Sequence, residues 1–140
     1  KLLKGVQPRV TLKGAYITVY SLNRNHTKRL LGEWYRQQAE IHFKRSLARC
    51  FKLFNKYGLQ PPKIKIKQMS KRWGSCTAGG TIYLNPELIK ASSRCIDYVM
   101  VHELCHLKHL NHGTKFFSLL SKLLPDWQAR KAQLEAGSSQ

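Results

Sequence analysis

Three histidines and a glutamate with the spacing of a metal site lie in V-M-V-H-E-L-C-H-L-K-H-L-N-H-G, residues 99–113. His102 and His106 stand four apart, so on a helix they share one face and can each aim a ring nitrogen at a single tetrahedral zinc. Glu103 follows about 100° round the axis, beside such an ion instead of bound to it. A carboxylate there can take a proton from a water acidified by the metal and later return it to a leaving group. The pattern is H-E-x-x-H, embedded in the apolar context of Val99, Val101, Leu104 and Leu107 that a buried active-site helix requires.

A catalytic zinc needs a third protein ligand and an open position. On a continued helix His109 would lie about 10 Å along the axis from His102, too far for both to reach one ion. That leaves His112, provided the helix ends and the chain swings back. Asn111 and Gly113 are the residues expected to allow this, through left-handed conformations. The resulting H-E-x-x-H-x-x-x-x-x-H matches the metzincin ligand spacing, with His109 where that pattern has glycine. Asp126 is the reserve ligand. A tetrahedral oxyanion also calls for an electrophile besides the metal, for which Arg72, Tyr83 and His109 are candidates.

These residues need a helix beneath them and a wall opposite. Ser92 or Ser93 can cap a helix from Arg94 to about Leu110. Pro86 suits the first turn of a short helix through Lys90. Before it, K-I-K-I-K within Lys63 to Met69 alternates with period 2, a strand with a wet lysine face. Arg72 to Cys76 and Thr81 to Asn85 read as strands around a turn at Ala78-Gly79-Gly80, which together predicts a small antiparallel sheet. Thr27 to Tyr57 carries apolar residues at helical spacing and closes at Gly58, predicting one long amphipathic helix with its aromatics in the core. Arg9 to Leu12 and Ala15 to Tyr20, separated by Lys13-Gly14, read as a hairpin or two short strands. Phe116 to Leu124 predicts another helix, stopped before Pro125, and Trp127 to Glu135 a last turn or two, with Gly137 to Gln140 a disordered end.

A length of 140 residues with 42% hydrophobic and 23% charged residues fits one globular domain. The lysine at position 1 reads as the trimmed end of a slightly longer chain. Cys50, Cys76, Cys95 and Cys105 form no Cys-x-x-Cys pair, which argues against a zinc knuckle and a disulfide framework and for reduced thiols in a cytoplasm. No 18-residue apolar run or signal-peptide core predicts a membrane partner. Twenty-five Lys and Arg against 7 Asp and Glu give a net charge of +18, so polyanions, nucleic acid or nucleotides among them, are expected to bind at least nonspecifically.

R-W-G-S-C at residues 72–76, I-Y-L-N at 82–85, Y-V-M-V-H-E-L-C-H-L at 98–107 and N-H-G-x-x-F at 111–116 together resemble the YgjP-like metallopeptidase domains. Those are similar in turn to the WLM and SprT-like proteases. The resemblance spans about Arg9 to Glu135 and implies a zincin-like α+β fold, with a small antiparallel sheet packed on a long N-terminal helix and the H-E-x-x-H helix. It implies one zinc on His102, His106 and His112, with Glu103 as base, acting on a peptide or unfolded protein. Ser75, with Arg72, Tyr83 and His109, is expected at the substrate, where an edge strand could pair with an extended peptide. The alternative expectation for Trp73, Gly74 and Cys76 is structural: an indole on the active-site helix, a close approach and a small buried hydrophobe. Two rival functions share the same residues. One is phosphoanhydride hydrolysis of a nucleotide held by lysines and arginines. The other is a basic nucleic-acid-binding module with structural zinc. A peptidase that uses its positive surface to reach proteins on DNA or RNA, as resemblance to the SprT-like and WLM groups suggests, would combine the two themes.

Overall fold

Strand β3 (Lys63–Ile66) alternates as its sequence dictates: Ile64 and Ile66 turn toward the core, Lys63 and Lys65 toward solvent. In the computed structural model, which describes residues 8–13 and 16–138, β3 joins β4 (Gly74–Cys76) and β5 (Thr81–Leu84) in a sheet of order β3-β5-β4. The sheet is mixed, which corrects the antiparallel expectation: β4 runs antiparallel to β5, but β3 runs parallel to it. The cause is the connection between β3 and β4, which crosses the end of β5 to its far edge. Asn85, 5% exposed, fastens that crossing, donating from Nδ2 to the carbonyls of Met69 (2.7 Å) and Arg72 (3.0 Å). The turn from β4 to β5 uses Gly80 at φ +90°, where a side chain would be strained.

Helix α1 (Arg24–Phe51) starts where Asn23 Oδ1 accepts from His26 N at 2.9 Å. Its buried residues are Ala39, Phe43, Ser46 and Cys50. Trp34 and Tyr35 are only half-buried and pack on each other, and Ile41 is exposed, so the expected aromatic core face holds for Phe43 and not for them. The last stretch to Tyr57 tightens into a 3₁₀ helix and ends at Gly58, φ +66°. A second 3₁₀ turn, Pro86–Lys90, leads to α2 (Ser93–His106), capped by Ser92 Oγ accepting from Cys95 N. Helices α3 (Thr114–Leu123) and α4 (Trp127–Ser138) follow, both packed on α2. Helix α4 is longer than expected and takes in Gly137, while Ser139 and Gln140 lie outside the described residues.

The chain divides into two units, up to Gln38 and from Ala39 onward. The first holds an antiparallel pair, β1 (Arg9–Lys13) and β2 (Tyr16–Tyr20), in which Arg9 lies 4.5 Å over the Tyr20 ring. Of the expected break at Lys13-Gly14, Lys13 still belongs to β1, and Gly14 lies outside the described residues. The second holds the core, centred on α2, with Met100, Val101, Leu104 and Cys105 of that helix fully buried among Phe43, Phe54, Ile82, Leu84, Leu88 and Leu120. No helix among the described residues is long and apolar enough to cross a membrane.

All four cysteines are free thiols. Burial, then the nearby Asp97 charge, pushes Cys50 up to about 12, and burial, then Glu103, does the same to Cys105. At pH 8 a thiol titrating near 12 is ionised in roughly one molecule in ten thousand. Iodoacetamide at pH 8 is therefore expected to label Cys50 and Cys105 only when the protein unfolds. Mass spectrometry of native and urea-unfolded samples checks this, and rapid labelling of either thiol in the native protein would contradict the packing described.

Candidate metal centre

Helix α2 does two jobs on two faces. Met100, Val101, Leu104 and Cys105 bury its apolar side, while Tyr98, His102 and His106, spaced i, i+4, i+8, lie along the side facing a cleft of about 450 Å³. Across the cleft stands β4, which among the described residues pairs with β5 on one side only. Arg72 and Ser75 line that wall, Glu103 the floor, and Leu110 and His112 the mouth.

The third histidine arrives because α2 stops at His106, four residues before the expected end. Leu107 N bonds to Leu104 O, and Lys108 N and His109 N both bond to Cys105 O, tightening the last turn. The turn needs no left-handed residue: Asn111 has no positive φ and Gly113 sits at φ −95°, which corrects the expectation placed on them. What holds it is His106, whose Nδ1 lies 3.1 Å from the carbonyl oxygen of His109. A carbonyl only accepts, so Nδ1 carries the proton and Nε2 keeps its lone pair for the site. His109 thus serves through its backbone, and its imidazole is neither in the histidine cluster nor in the cleft lining.

His102, His106 and His112 bring one ring nitrogen each within 4.8 Å of one another. His106 Nε2 and His112 Nε2 face each other at 2.9 Å, a separation that demands a shared proton or a shared cation. Two nitrogens on a tetrahedral ion at about 2.05 Å stand roughly 3.3 Å apart, so this pair accepts zinc with a few tenths of an ångström of opening. Partial desolvation, then the charges of His106 and His102, holds His112 below the usual imidazole range, which favours the neutral form a metal requires. His102 Nδ1 lies 3.2 Å from Glu103 Oε2 and donates to it, fixing that ring as well. No fourth His, Cys, Asp or Glu joins the cluster among the described residues. Asp126 is engaged elsewhere, bonded to Arg94 and Arg130 at 2.9 Å each, so the reserve ligand is not used. Desolvation works against it, but Arg130 and then Arg94 hold its carboxyl below the ordinary value.

Behind the ligands stands Phe116, fully buried, with its ring centroid 5.0, 4.5 and 4.9 Å from those of His102, His106 and His112. Trp127 stacks on Phe117 and Tyr98, tying α4 to the same cluster. Of the expected substrate residues, Arg72 and Ser75 line the cleft, whereas Tyr83 does not. Tyr98, Val99 and Leu110 line it without having been singled out. For Tyr98 the signal was present, since it continues the His102–His106 spacing back by one turn. Gly74 is placed as the close-approach reading required: a Cβ there would meet Glu103 Cγ, Leu84 Cδ2 and the Tyr83 carbonyl, all at 3.2 Å.

A helix and the turn after it, bringing three histidines together beside a carboxylate and a short edge strand, form the arrangement of a metal-dependent hydrolase. The profile of the YgjP-like metallopeptidase domain matches residues 5–137, and the chain belongs to this family. No curated protein sequence matched significantly. Among solved structures, the metallopeptidase zymogen abylysin of Pyrococcus abyssi is similar with TM-score 0.61 and 20% identity, over 68% of this chain and 93% of that one. The metallopeptidase zymogen jannalysin of Methanocaldococcus jannaschii is similar with TM-score 0.55 and 20% identity, over 68% and 95%. At that identity the likeness is one of fold, and it agrees with the zincin-like α+β architecture expected from the sequence.

Gly74→Ala forces its new methyl against a strand carbonyl that cannot move alone. The expected cost is about 1–3 kcal/mol, read as a lower urea midpoint with an unchanged m-value. A midpoint equal to that of the parent protein would show that Glu103 and β4 are not held as closely as described.

Proposed function

We propose that this single catalytic domain is a zinc peptidase that cleaves extended or unfolded polypeptide. His102, His106 and His112 hold the ion, and Glu103 is the general base. The observation that carries the reading is the convergence of three ring nitrogens within 4.8 Å on the floor of an open cleft, with the Glu103 carboxylate at the same place. A bound zinc supplies Lewis-acid polarisation of the scissile carbonyl and acidifies water.

The chain's own residues do the rest. Glu103, 5% exposed under Gly74, accepts a proton from the attacking water as its oxygen bonds to the peptide carbon. The same carboxylate then delivers that proton to the leaving nitrogen as the C–N bond breaks. The free edge of β4 offers backbone groups to an extended peptide, which suits unfolded protein better than a folded surface. In this reading Arg72, exposed and lining the cleft, neutralises the oxyanion, and Ser75, which also lines it, contacts the substrate. Tyr83 does not line the cleft and is assigned no part in this reading.

The rival readings fare worse on the same geometry. Phosphoanhydride hydrolysis relied on many cations around the nucleotide, but among the described residues Arg72 is the one lysine or arginine in the cleft lining. Structural zinc relied on a closed ligand set, but the cluster has three members and opens on the cleft. The free thiols accord with a reducing, cytoplasmic setting.

Elemental analysis with a cleavage assay on an unfolded protein tests this. About one zinc per chain is expected, falling in His112→Ala. Glu103→Gln is expected to keep the metal while losing roughly 10²–10⁴ in kcat. Undiminished cleavage by Glu103→Gln, or cleavage of nucleoside triphosphates in place of protein, would overturn the assignment.

A further inference from the structure

The positive charge of this chain is concentrated. Between Glu40 and Glu87 there is no acidic residue, against ten lysines and arginines. Five of these, Lys63, Lys65, Lys67, Lys71 and Arg72, belong to β3 and its connection to β4. All five are exposed, and none has an ion-pair partner among the described residues.

The sheet sorts them onto one side. Ile64, Ile66, Ile82 and Leu84 pack into the core, so period-2 alternation sends Lys63 and Lys65 of β3, Thr81 and Tyr83 of β5, and Ser75 of β4 to the opposite face. Register places Tyr83 directly between Lys65 and Ser75. Lys67 continues the row, bonded through its amide to Leu84 O, with its ammonium 5.4 Å from the Tyr83 ring centroid. The face is therefore a line of ammonium groups, anchored roughly 6.6 Å apart along the strand, around one half-exposed aromatic ring. Tyr83 takes no part in the proposed hydrolysis.

A row of cations recognises a polyanion, and the ring narrows the choice. Inorganic polyphosphate and anionic lipid headgroups carry charge but nothing to stack. A duplex carries bases, but keeps them inside its own stack. An unpaired strand presents both phosphates and open π-faces, and a flat sheet with lysines and one aromatic matches both. We infer that the outward face of the β3-β5-β4 sheet binds single-stranded nucleic acid, RNA or DNA. The strand's phosphates lie along Lys63, Lys65 and Lys67, and a base stacks on Tyr83. The exposed contact of Lys67 with Tyr83 is weak and gives way as the ammonium turns to a phosphate. This inference stands apart from the peptidase assignment and does not need it.

Fluorescence anisotropy of the zinc-loaded protein with labelled oligothymidylate and oligouridylate of about 12 nucleotides tests it. A duplex of equal length, inorganic polyphosphate and phosphatidylserine vesicles serve as the other arms. Combining Lys63→Gln, Lys65→Gln and Lys67→Gln is expected to weaken single-strand binding at least tenfold. It should also reduce the slope of log affinity against log salt by about 2, near 0.7 for each phosphate that is no longer neutralised. Tyr83→Leu is expected to weaken it roughly five- to a hundredfold with the salt slope and polyphosphate binding unchanged. Tyr83→Phe keeps the ring and should bind like the parent, which preserves the test if the leucine variant does not fold. All variants are expected to retain zinc and peptide cleavage. The inference is overturned if the triple variant binds as the parent does, if a folded Tyr83→Leu loses nothing, if Tyr83→Phe loses binding, or if duplex or vesicles are preferred to the single strand.

Discussion

Three imidazoles meet on one phenyl ring, and much of the larger unit follows from keeping them there. Phe116 contacts His102, His106 and His112 at once and is itself fully buried. A metal site of this kind asks a helix to be core and ligand carrier together. Its ligand face must be wet enough to admit substrate, while its rings must not wander. Packing all three against a single buried aromatic meets both demands, since van der Waals contact fixes ring position without occupying any nitrogen. The nitrogens are then assigned by acceptors: the His109 carbonyl for His106 and the Glu103 carboxylate for His102. The site is therefore ordered by its own packing and by two hydrogen bonds within one stretch of chain.

The opposite wall is set by a different economy of space. Glu103 is polar and nearly buried, which is costly unless the carboxylate is paired. It is reached by His102, and Gly74 lets β4 come close enough to cover its methylenes. Because β4 is only three residues long and, among the described residues, pairs on one side, the same strand that closes over Glu103 still offers an edge to the cleft. Asn85 stabilises this from below, where its amide holds the β3–β4 crossing against the end of β5. One buried side chain amide thereby fixes both the mixed topology and the level at which Arg72 and Ser75 enter the cleft.

The parts of this arrangement legible in the sequence were those written in local periodicity. The i, i+4 spacing of His102 and His106, the Ser92 cap, the lysine–isoleucine alternation of β3 and the Pro86 turn each depend on residues within a few positions, and each lies where expected. What was not legible was decided across the chain. Nothing local distinguishes parallel from antiparallel pairing for β3, because the choice lies in where its connection lands. The end of α2 was misplaced for a related reason. Leu107 and Leu110 continue an apolar rhythm, and the signal that stops the helix is a hydrogen bond from a ring to the His109 carbonyl, which residue type does not announce. Tyr83 was expected at the substrate, but period 2 turns it away from the core face on which Gly74 meets Glu103, and it stays outside the cleft lining that its cross-strand neighbour Ser75 reaches.

That turn separates two chemistries on one small sheet. The core-facing residues of β4 and β5 pack beneath α2 and its histidines, while outward Lys63 and Lys65 of β3, with Lys67 after it, carry charge that no carboxylate between Glu40 and Glu87 offsets. Exposed lysines are usually accounted for by solubility, and here that account is incomplete in one respect. Solubility is indifferent to register, but Lys65 stands opposite Tyr83 and Lys67 above its ring. Elsewhere in the larger unit some charges are paired, Arg49 with Asp97 and Arg94 and Arg130 with Asp126, while others such as Lys44, Lys52 and Lys115 have no ion-pair partner among the described residues. What sets the sheet face apart is the aromatic ring held in line with its cations. Arg72 lies at the junction, unpaired like the lysines and lining the cleft like the histidines. Arg72 thereby brings one charge of the basic stretch to the cleft that the three histidines line.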